Sequence, residues 1–424
     1  MKPTILLLLL AAALPARDIQ VTNPAELDAL SRQAQPGDTY ILASGTFADV
    51  ALRFRGTGTK EQPITLRAAE PGKTVFTGGS SLKLGGTHLR VEGLHFRQPG
   101  PSVNEVIQLR IDSKNLARYC TLSQVAVTAD PDAPQGKDAK WLSIYGSHNT
   151  IELCTFTGKT SGGTTVVVWL PEDGGEAGQH VIQKCYFGPR PRLGKNGGET
   201  IRIGDSDTAH LDAKCVVSSC LFYQCNGETE IISNKSCANR YTGNTFLECE
   251  GTLTLRHGHR CLVEGNVFLG NHKRMTGGVR VIGEDHVVKG NSMFDLQGDG
   301  HRSAITFMNG IPDTPANGYQ QVKRAIIEGN TVANCKVPVC IGRADNSTCT
   351  EPPLQVSFIS NTILSEKGKA IHMETPVTGW IWKGNRIKAP ELGVSFEGLA
   401  LTDDVAVKKP AALTQNQAGA SWLR

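Results

Sequence analysis

A short phrase that recurs along the chain constrains the fold more than any other feature of the sequence. It is His-Asn-Thr-Ile-Glu-Leu-Cys-Thr-Phe at 148–156, Cys-Leu-Val-Glu-Gly-Asn-Val-Phe at 261–268 and Val-Val-Lys-Gly-Asn-Ser-Met-Phe at 287–294. Each period holds two or three short alternating β runs joined by Gly or Asn turns, with no helical pattern between them. The sequence therefore predicts an all-β chain, a single right-handed parallel β-helix whose coils stack about 4.8 Å apart.

One position of the phrase is always Cys or Asn, which indicates a stacked side-chain ladder at one corner of the coils. We expect the asparagines to occupy left-handed turns and to bond neighbouring backbone, and the ladder cysteines to be buried thiols. Cys335, Cys340 and Cys349 lie outside the pattern, and a disulfide among them stays open. The ladder positions are Cys120, Cys154, Cys185 and Cys220, followed by Asn244, Asn266, Asn291, Asn330, Asn361 and Asn385.

The two ends of the chain break the repeat. Residues 1–16 carry an apolar run between Lys2 and a small-residue end, which is typical of a signal peptide and predicts a secreted or periplasmic protein. The β-helix domain would then cover 17–424. Asn23 and Pro24 begin a short amphipathic helix that we expect to cap the N-terminal coil, and about 395–424 is predicted to cap the other end.

Composition limits the partners. The chain has 424 residues, too many for one compact core but suitable for a repeat array. Its formal charge is +4, with 44 Lys and Arg against 40 Asp and Glu, and no basic tract indicates nucleic-acid binding. The apolar run is too short to span a bilayer. We expect a soluble monomer that tolerates an acidic ligand.

Aligned coils predict a charged outer face. The alignment places Arg202, Ile232, Arg256 and Arg280 in one column, with Ile231 among the residues that point inward. Glu228 and Glu230 share the outward face of one run, and Asn196 enters the preceding coil near its end. We therefore expect carboxylates and guanidinium groups to meet on one side of the β-helix.

Two interpretations of this face remain open. Two carboxylates and the Asn196 amide form an all-oxygen set that suits a hard cation such as Ca²⁺. Alternatively, Glu228 and Glu230 pair with Arg202 and Arg256 in a surface salt network. Lys235 follows the acidic pair, and neighbouring positive charge would lower its pKa toward that of a lysine base.

Three ordered motifs closely resemble polysaccharide lyase family 6, the family of alginate lyases and chondroitinase B. They are Asn-Gly-Gly-Glu-Thr-Ile-Arg-Ile-Gly at 196–204, Glu-Thr-Glu-Ile-Ile-Ser-Asn-Lys-Ser at 228–236 and Leu-Arg-His-Gly at 255–258. The resemblance implies that Asn196, Glu228 and Glu230 bind Ca²⁺, that Lys235 is the Brønsted base and that Arg256 is the Brønsted acid.

The implied reaction is β-elimination on a uronic acid polymer, with alginate favoured over dermatan sulfate. The resemblance also implies that Arg280 contacts substrate and that His257 belongs to a subsite. Arg202, His301 and Arg302 are further candidates for binding substrate carboxylates, because arginine bonds carboxylates in a bidentate manner.

Two other classes of protein share this fold. A polygalacturonase-type hydrolase would need clustered aspartates on one face, and the candidates Asp205, Asp207 and Asp212 are expected in a solvated turn. A non-catalytic carbohydrate binder or adhesin would need none of Lys235, Arg256 and the glutamate pair. A test for unsaturated products separates these alternatives.

Overall fold

The computed structural model describes residues 16–172, 175–176, 178–315 and 317–423. The chain coils into a parallel β-helix with three long sheets, as predicted, and every strand pairing in the described part is parallel. Sheet 1 has 14 strands, and sheets 2 and 3 have 13 strands each. Residues 1–15 of the predicted signal peptide lie outside the described residues.

The strands of each sheet follow one another at intervals of one coil. Sheet 1 contains Asp18–Val21, Thr39–Leu42, Ile64–Ala68, Leu89–Glu92, Thr121–Ser123, Thr150–Glu152, Val181–Gln183, Val216–Ser218, Arg240–Thr242, Leu262–Glu264, Val287–Lys289, Ile326–Glu328, Ser357–Ile359 and Ile381–Lys383. Sheet 2 contains Ala51–Thr57, Ser81–Thr87, Glu105–Gln108, Ala117–Arg118, Lys140–Ile144, Val166–Val168, Ile201–Gly204, Glu230–Lys235, Gly251–His257, Thr276–Val281, Ile305–Met308, Val339–Arg343 and Ile371–Met373. Sheet 3 contains Gly45–Ala48, Thr74–Gly78, His95–Pro99, Ala126–Thr128, Thr155–Thr157, Tyr186–Phe187, Leu221–Tyr223, Thr245–Leu247, Val267–Leu269, Ser292–Phe294, Thr331–Ala333, Thr362–Leu364 and Arg386–Lys388.

The recurring phrase turns the chain from sheet 1 into sheet 3 and fills the interior. The Asn266 side chain donates to Asn291 at 2.9 Å, and Asn291 donates to Asn330 at the same distance, so the predicted ladder is present. Phe222, which ends one copy of the phrase, stacks on Phe246 of the next at 4.7 Å between ring centroids. Identical side chains in successive coils therefore satisfy buried polar groups and pack the core together.

The left-handed turn lies one residue earlier than predicted. Gly265 and Gly290, which precede ladder asparagines, have φ of 64° and 62°, whereas the asparagines are outside this region. Glycine adopts this conformation without a Cβ clash, which leaves the following Asn side chain free to point into the corner. The ladder asparagine is thus a hydrogen-bonding residue and not the turn residue.

The ends are covered differently. At the N-terminal end, Asn23 caps a 3₁₀ turn at Pro24–Glu26 and a helix at Leu27–Ser31, and Leu27 is fully buried. The C-terminal segment packs Phe396 on Trp382 at the last coil and then runs back along sheet 3, where Trp422 donates to the Gln124 carbonyl at 2.8 Å. Further 3₁₀ turns lie at Gly300–Arg302 and Ser421–Leu423.

All twelve cysteines are buried free thiols, so the structure contains no disulfide among Cys335, Cys340 and Cys349. Burial raises the pKa of Cys335 and Cys340 to about 12, as expected for thiols that act as small apolar side chains. In the described part of the chain, no helix has the length and apolar character needed to cross a bilayer.

Candidate active site

A cleft of ≈ 720 Å³ opens on the outer face of sheet 2. Its walls come from adjacent strands of that sheet and from Asn317 and Tyr319, which lie in an insertion between the strands Ile305–Met308 and Ile326–Glu328. The lining side chains include eight of the residues singled out in the sequence: Asn196, Glu228, Glu230, Lys235, Arg256, His257, Arg280 and Arg302. The repeat thus brings together residues that are more than 100 positions apart in the chain.

The register of sheet 2 corrects the predicted arginine column. Arg202 pairs with Ser233, Ser233 with Thr254, and Thr254 with Arg280. Ile232 pairs instead with Ile201 and Leu253. Arg256 and Ile232 therefore do not share a column with Arg202 and Arg280.

Two irregularities between neighbouring strands explain the difference. On Glu230–Lys235, Ile231 is an extra residue between the paired positions Glu230 and Ile232, and it is buried as predicted. On Gly251–His257, Arg256 is the extra residue opposite the Asn234–Lys235 step. A β-bulge re-aims a side chain, and here it turns the Arg256 side chain into the cleft.

Glu228 is the most strongly perturbed carboxyl group of the cleft. Its Oε2 accepts a hydrogen bond of 3.0 Å from the Gly197 amide, next to Asn196. Burial, and then the carboxylates of Glu199 and Glu230, raise the pKa of Glu228 to about 8. Three carboxyl groups thus repel one another where a positive charge would relieve the cost.

Glu230 and two arginines form the opposite side of this acidic group. Arg280 forms an ion pair with Glu230, and the Arg256 Nε lies 3.9 Å from the same carboxylate. The side chains are 13% exposed for Glu230, 5% for Arg280 and 16% for Arg256, so solvent screens these charges weakly. Of the predicted salt network, the described residues contain only the Glu230–Arg256 pair: Glu228 and Arg202 form no ion pair, and Arg280 takes a place that was not predicted.

Lys235 ends its strand beside His257, its partner in the register. Within the described residues its amine has no hydrogen bond or ion pair, although it faces the same cleft as Glu228 and Glu230. Burial, followed by the charges of Arg256 and Lys235, lowers the pKa of His257 to about 3. His257 is therefore a neutral imidazole at neutral pH.

Arg256 is held by residues that the sequence motifs do not include. Its guanidinium donates to the carbonyls of Gly318 at 2.9 Å and Asn317 at 3.1 Å. It also lies 4.1 Å from the centroid of the Tyr319 ring, a cation–π contact. These contacts fix the guanidinium plane before any ligand binds.

A buried pair supports the acidic side of the cleft, and sequence reasoning missed it. Arg190 is 3% exposed, and its guanidinium donates to the carbonyls of Gly198 at 2.7 Å and Glu199 at 2.9 Å. The Glu199 side chain is buried too and accepts from Thr164 at 3.2 Å. The sequence could have indicated Glu199, because it directly follows Asn196-Gly-Gly in the first motif. It could not have indicated Arg190, which lies in none of the three motifs.

The remaining predicted residues lie at different distances from the centre. Arg302 lines the cleft and donates to Thr229 at 2.6 Å. His301 does not line the cleft and faces Asp345 at 3.2 Å. Arg202 lies outside the cleft lining, over the ring of Trp169 at 4.9 Å.

The aspartates needed for the hydrolase alternative are not clustered on this face. Asp205 accepts from Thr208 within its own turn at 2.8 Å, and Asp212 pairs with Arg260 at 2.7 Å. Neither residue lines the cleft. Asp205 and Asp212 are therefore not placed to flank a glycosidic bond in this cleft, as the hydrolase alternative requires.

The side chains of the cleft provide oxygen atoms, the type of ligand that a hard cation such as Ca²⁺ prefers. Asn196, Glu228 and Glu230 offer amide and carboxylate oxygens, and burial, followed by the carboxylates of Glu199 and Glu230, raises the pKa of Glu228. Among the residues described, no three His, Cys, Asp or Glu side chains surround one point as metal ligands. A cation would thus need the Asn196 amide, water or substrate to complete its shell.

The fold and the cleft together define a parallel β-helix protein that gathers arginine, lysine and paired glutamate side chains on the outer face of one sheet. The family model described as chondroitinase B matches residues 21–419, nearly the whole chain. The protein belongs to this family, polysaccharide lyase family 6, as its motifs predicted.

Solved structures show the same likeness. The PL6 family alginate lyase AlyGC is 36% identical to this chain, with a TM-score of 0.87. The match covers 96% of this chain and 57% of AlyGC, so this chain spans little more than half of the length of that protein. A mannuronic acid specific family 6 lyase from human gut microbiota is 27% identical, with a TM-score of 0.81 and 96% of both chains covered. The family 6 lyase Pedsa3628 from Pseudopedobacter saltans is 26% identical, with a TM-score of 0.80, 95% of this chain and 99% of that chain covered. No curated protein resembles the chain closely enough to count as a match.

Proposed function

We propose that this protein is an alginate lyase that cleaves its substrate by β-elimination. The observation that carries the proposal is the position of Lys235 and Arg256 in one cleft, the lysine without a partner among the described residues and the guanidinium fixed by two carbonyls. A binding protein or adhesin has no need for a free amine beside an immobilised arginine. The membership in family 6 supports the same chemistry.

Each residue has a distinct role in the proposed reaction. Lys235 takes the C5 proton of a uronate residue, which is acidic because it lies α to the carboxylate. Arg256 stabilises the oxygen that departs from C4; since a guanidinium stays protonated in proteins, that oxygen takes its proton from solvent. Arg280, Arg302 and the neutral His257 orient the substrate, with Arg202 on the neighbouring coil.

We further propose that Asn196, Glu228 and Glu230 hold Ca²⁺. When bound, the cation would offset the negative charge that develops on the substrate carboxylate. The carboxylates of Glu228 and Glu230 line one cleft with the Asn196 side chain, and two like charges so close support a positive charge at this place. The Gly197 amide donates to Glu228 and the buried Arg190 donates to the Gly198 carbonyl, and these two bonds hold the Asn196 loop against Glu228.

Alginate is the proposed substrate because the related structures are described as an alginate lyase and as a mannuronic acid specific lyase. Dermatan sulfate is the alternative, since the matching family model bears the name of chondroitinase B. A polymer that cannot enter a cell also agrees with the export predicted from residues 1–16. We propose that the exported enzyme acts as a monomer.

Incubation with polysaccharide tests the reaction directly. We expect alginate to yield products with a C4–C5 double bond, detected by ultraviolet absorbance and by mass spectrometry as uronates lacking one water. Dermatan sulfate serves as the second substrate, and polygalacturonate as the control for hydrolysis by reducing-end release. Reducing ends without unsaturation would contradict the lyase, and cleavage of dermatan sulfate alone would contradict the choice of alginate.

Calcium binding has a readout independent of activity. At a hundredfold excess over its Kd, Ca²⁺ should stabilise the fold by about 2.7 kcal/mol, which raises the melting temperature of the chelated protein. Glu228→Gln should remove this rise, whereas Glu397→Gln, which changes an exposed glutamate, should keep it. The assignment of the Ca²⁺ site is contradicted if added Ca²⁺ does not raise the melting temperature. It is also contradicted if Ca²⁺ raises the melting temperature of Glu228→Gln as much as that of the unaltered protein.

A further inference from the structure

A second group of aromatic and cationic side chains lies on sheet 2, outside the cleft. Arg110 lies 3.7 Å from the centroid of the Tyr145 ring, and Tyr145 is stacked on Trp169 at 6.2 Å with 12° between the ring planes. Arg202 lies over the Trp169 ring, 4.9 Å from its centroid. We call these four residues the arginine–aromatic stack.

The stack is in line with the proposed catalytic base. Trp169 follows Val168, and Val168 pairs with Ile203 on the next strand. Trp169 therefore stands in the same row as Gly204, the residue after Ile203. Gly204 in turn pairs with Lys235. At about 4.8 Å per coil, Trp169 lies about 10 Å and Arg110 about 19 Å from the Lys235 row, toward the N-terminal end. Gly204, which stands between Trp169 and Lys235 in this row, has no side chain.

Both arginines carry charge that the described residues do not neutralise. Neither Arg110 nor Arg202 has a carboxylate within ion-pair distance in the described part of the chain, whereas Arg55, Arg192 and Arg280 each form an ion pair. Glu105 touches the stack only through the Tyr145 hydroxyl at 3.4 Å. The buried Nε of Arg202 and Nε1 of Trp169 also lack a hydrogen-bond partner.

The rings hold these cations in place. A guanidinium lying on an aromatic face keeps its plane while its N–H groups point sideways, so less conformational freedom is lost when a ligand binds. Two fixed guanidinium groups three coils apart suit a ligand with carboxylates at repeated intervals. A single small anion would occupy only one of them.

We propose that the arginine–aromatic stack binds uronate residues of the polymer one to four coils from the point of cleavage, on the N-terminal side of Lys235. The inference rests on the proposed function, because it extends the substrate path of that site. It makes the enzyme more efficient on long chains than on short ones. Arg110, Tyr145 and Trp169 become specificity residues that do not take part in bond cleavage.

Chain-length dependence of Arg110→Ala tests this inference, because Arg110 is the member farthest from Lys235. Loss of one charge-assisted contact should lower kcat/KM on polymeric alginate about tenfold or more through KM. With an alginate trisaccharide, too short to reach Arg110 from the cleavage point, kcat/KM should stay within about twofold of the unaltered enzyme. Arg110→Lys should recover only part of the loss, since an ammonium stacks poorly on Tyr145.

Arg240→Ala is the matched control, as Arg240 is an exposed arginine on sheet 1, away from the stack. Arg240→Ala should leave kcat/KM unchanged on both the polymer and the trisaccharide. Melting curves of all variants show whether the fold is kept. Equal kinetics of Arg110→Ala and the unaltered enzyme on polymer would overturn the inference, as would equal losses on polymer and trisaccharide.

The inference can fail separately from the proposed function. If the unaltered protein forms no unsaturated product, the lyase assignment fails, and retention in an alginate-containing native gel then tests the stack alone. Weaker retention of Arg110→Ala than of Arg240→Ala would support the stack as a polyuronate site. Equal retention would overturn it.

Discussion

Lys235→Ala should lower kcat on alginate by about 10²–10⁴-fold, with little change in KM, because a positioned general base contributes about this much to a proton transfer. The Lys235 amine lies in the cleft with no partner among the described residues, so nothing there competes with the C5 proton for it. Its strand partner His257, with a pKa of about 3, is neutral and stands beside Arg256. The initial rate of double-bond formation measures the effect.

Lys235→Arg makes the test specific for proton transfer. Arginine keeps the positive charge and much of the length of lysine but is not deprotonated in proteins, so it should be as inactive as alanine. Lys383→Ala, which changes an exposed lysine on sheet 1, should behave as the unaltered enzyme. Substantial activity of Lys235→Arg would place the base elsewhere and leave Lys235 with an electrostatic role.

The fold was predictable because its signal is repeated in every coil. The Asn and Phe positions recur in one order, and identical side chains at one period have few alternatives to a stacked ladder. The glutamate pair was found because the aligned coils place it on the outward face of one run, and Lys235 because it follows that run beside the arginines and stands in a motif that resembles family 6. A repeat thus predicts both the scaffold and the strand positions that carry chemistry.

The details of the cleft were less predictable because they depend on local departures from the repeat. The extra residues Ile231 and Arg256 shift the pairing, and alternation of apolar and polar residues does not reveal a bulge. The 39-residue period between Asn291 and Asn330 is longer than its neighbours because it contains an insertion. Nothing in that insertion showed that its carbonyls would bind Arg256.

The contacts of Arg256 lead to the second large effect. Arg256→Ala should lower kcat/KM about 10²–10³-fold, the usual loss when a preorganised donor to a developing oxyanion is removed. The guanidinium is oriented by Gly318 and Asn317 and by the face of Tyr319, so its geometry exists before substrate binds. Measured on polymeric alginate, the loss should appear mainly in kcat.

Arg256→Lys separates charge from geometry. Lysine restores a cation but cannot donate to two carbonyls and stack on Tyr319 at once, so we expect it to regain no more than about tenfold of the loss. Tyr319→Phe keeps the ring under the guanidinium and should lower kcat little if the hydroxyl takes no part in proton transfer.

If Arg256→Ala instead keeps nearly full kcat, the leaving oxygen is stabilised by another group, and Tyr319, which lines the same cleft, is the next residue to test. A large loss in Tyr319→Phe alone would assign the proton donor to that hydroxyl, because the aromatic support of Arg256 is unchanged in this variant.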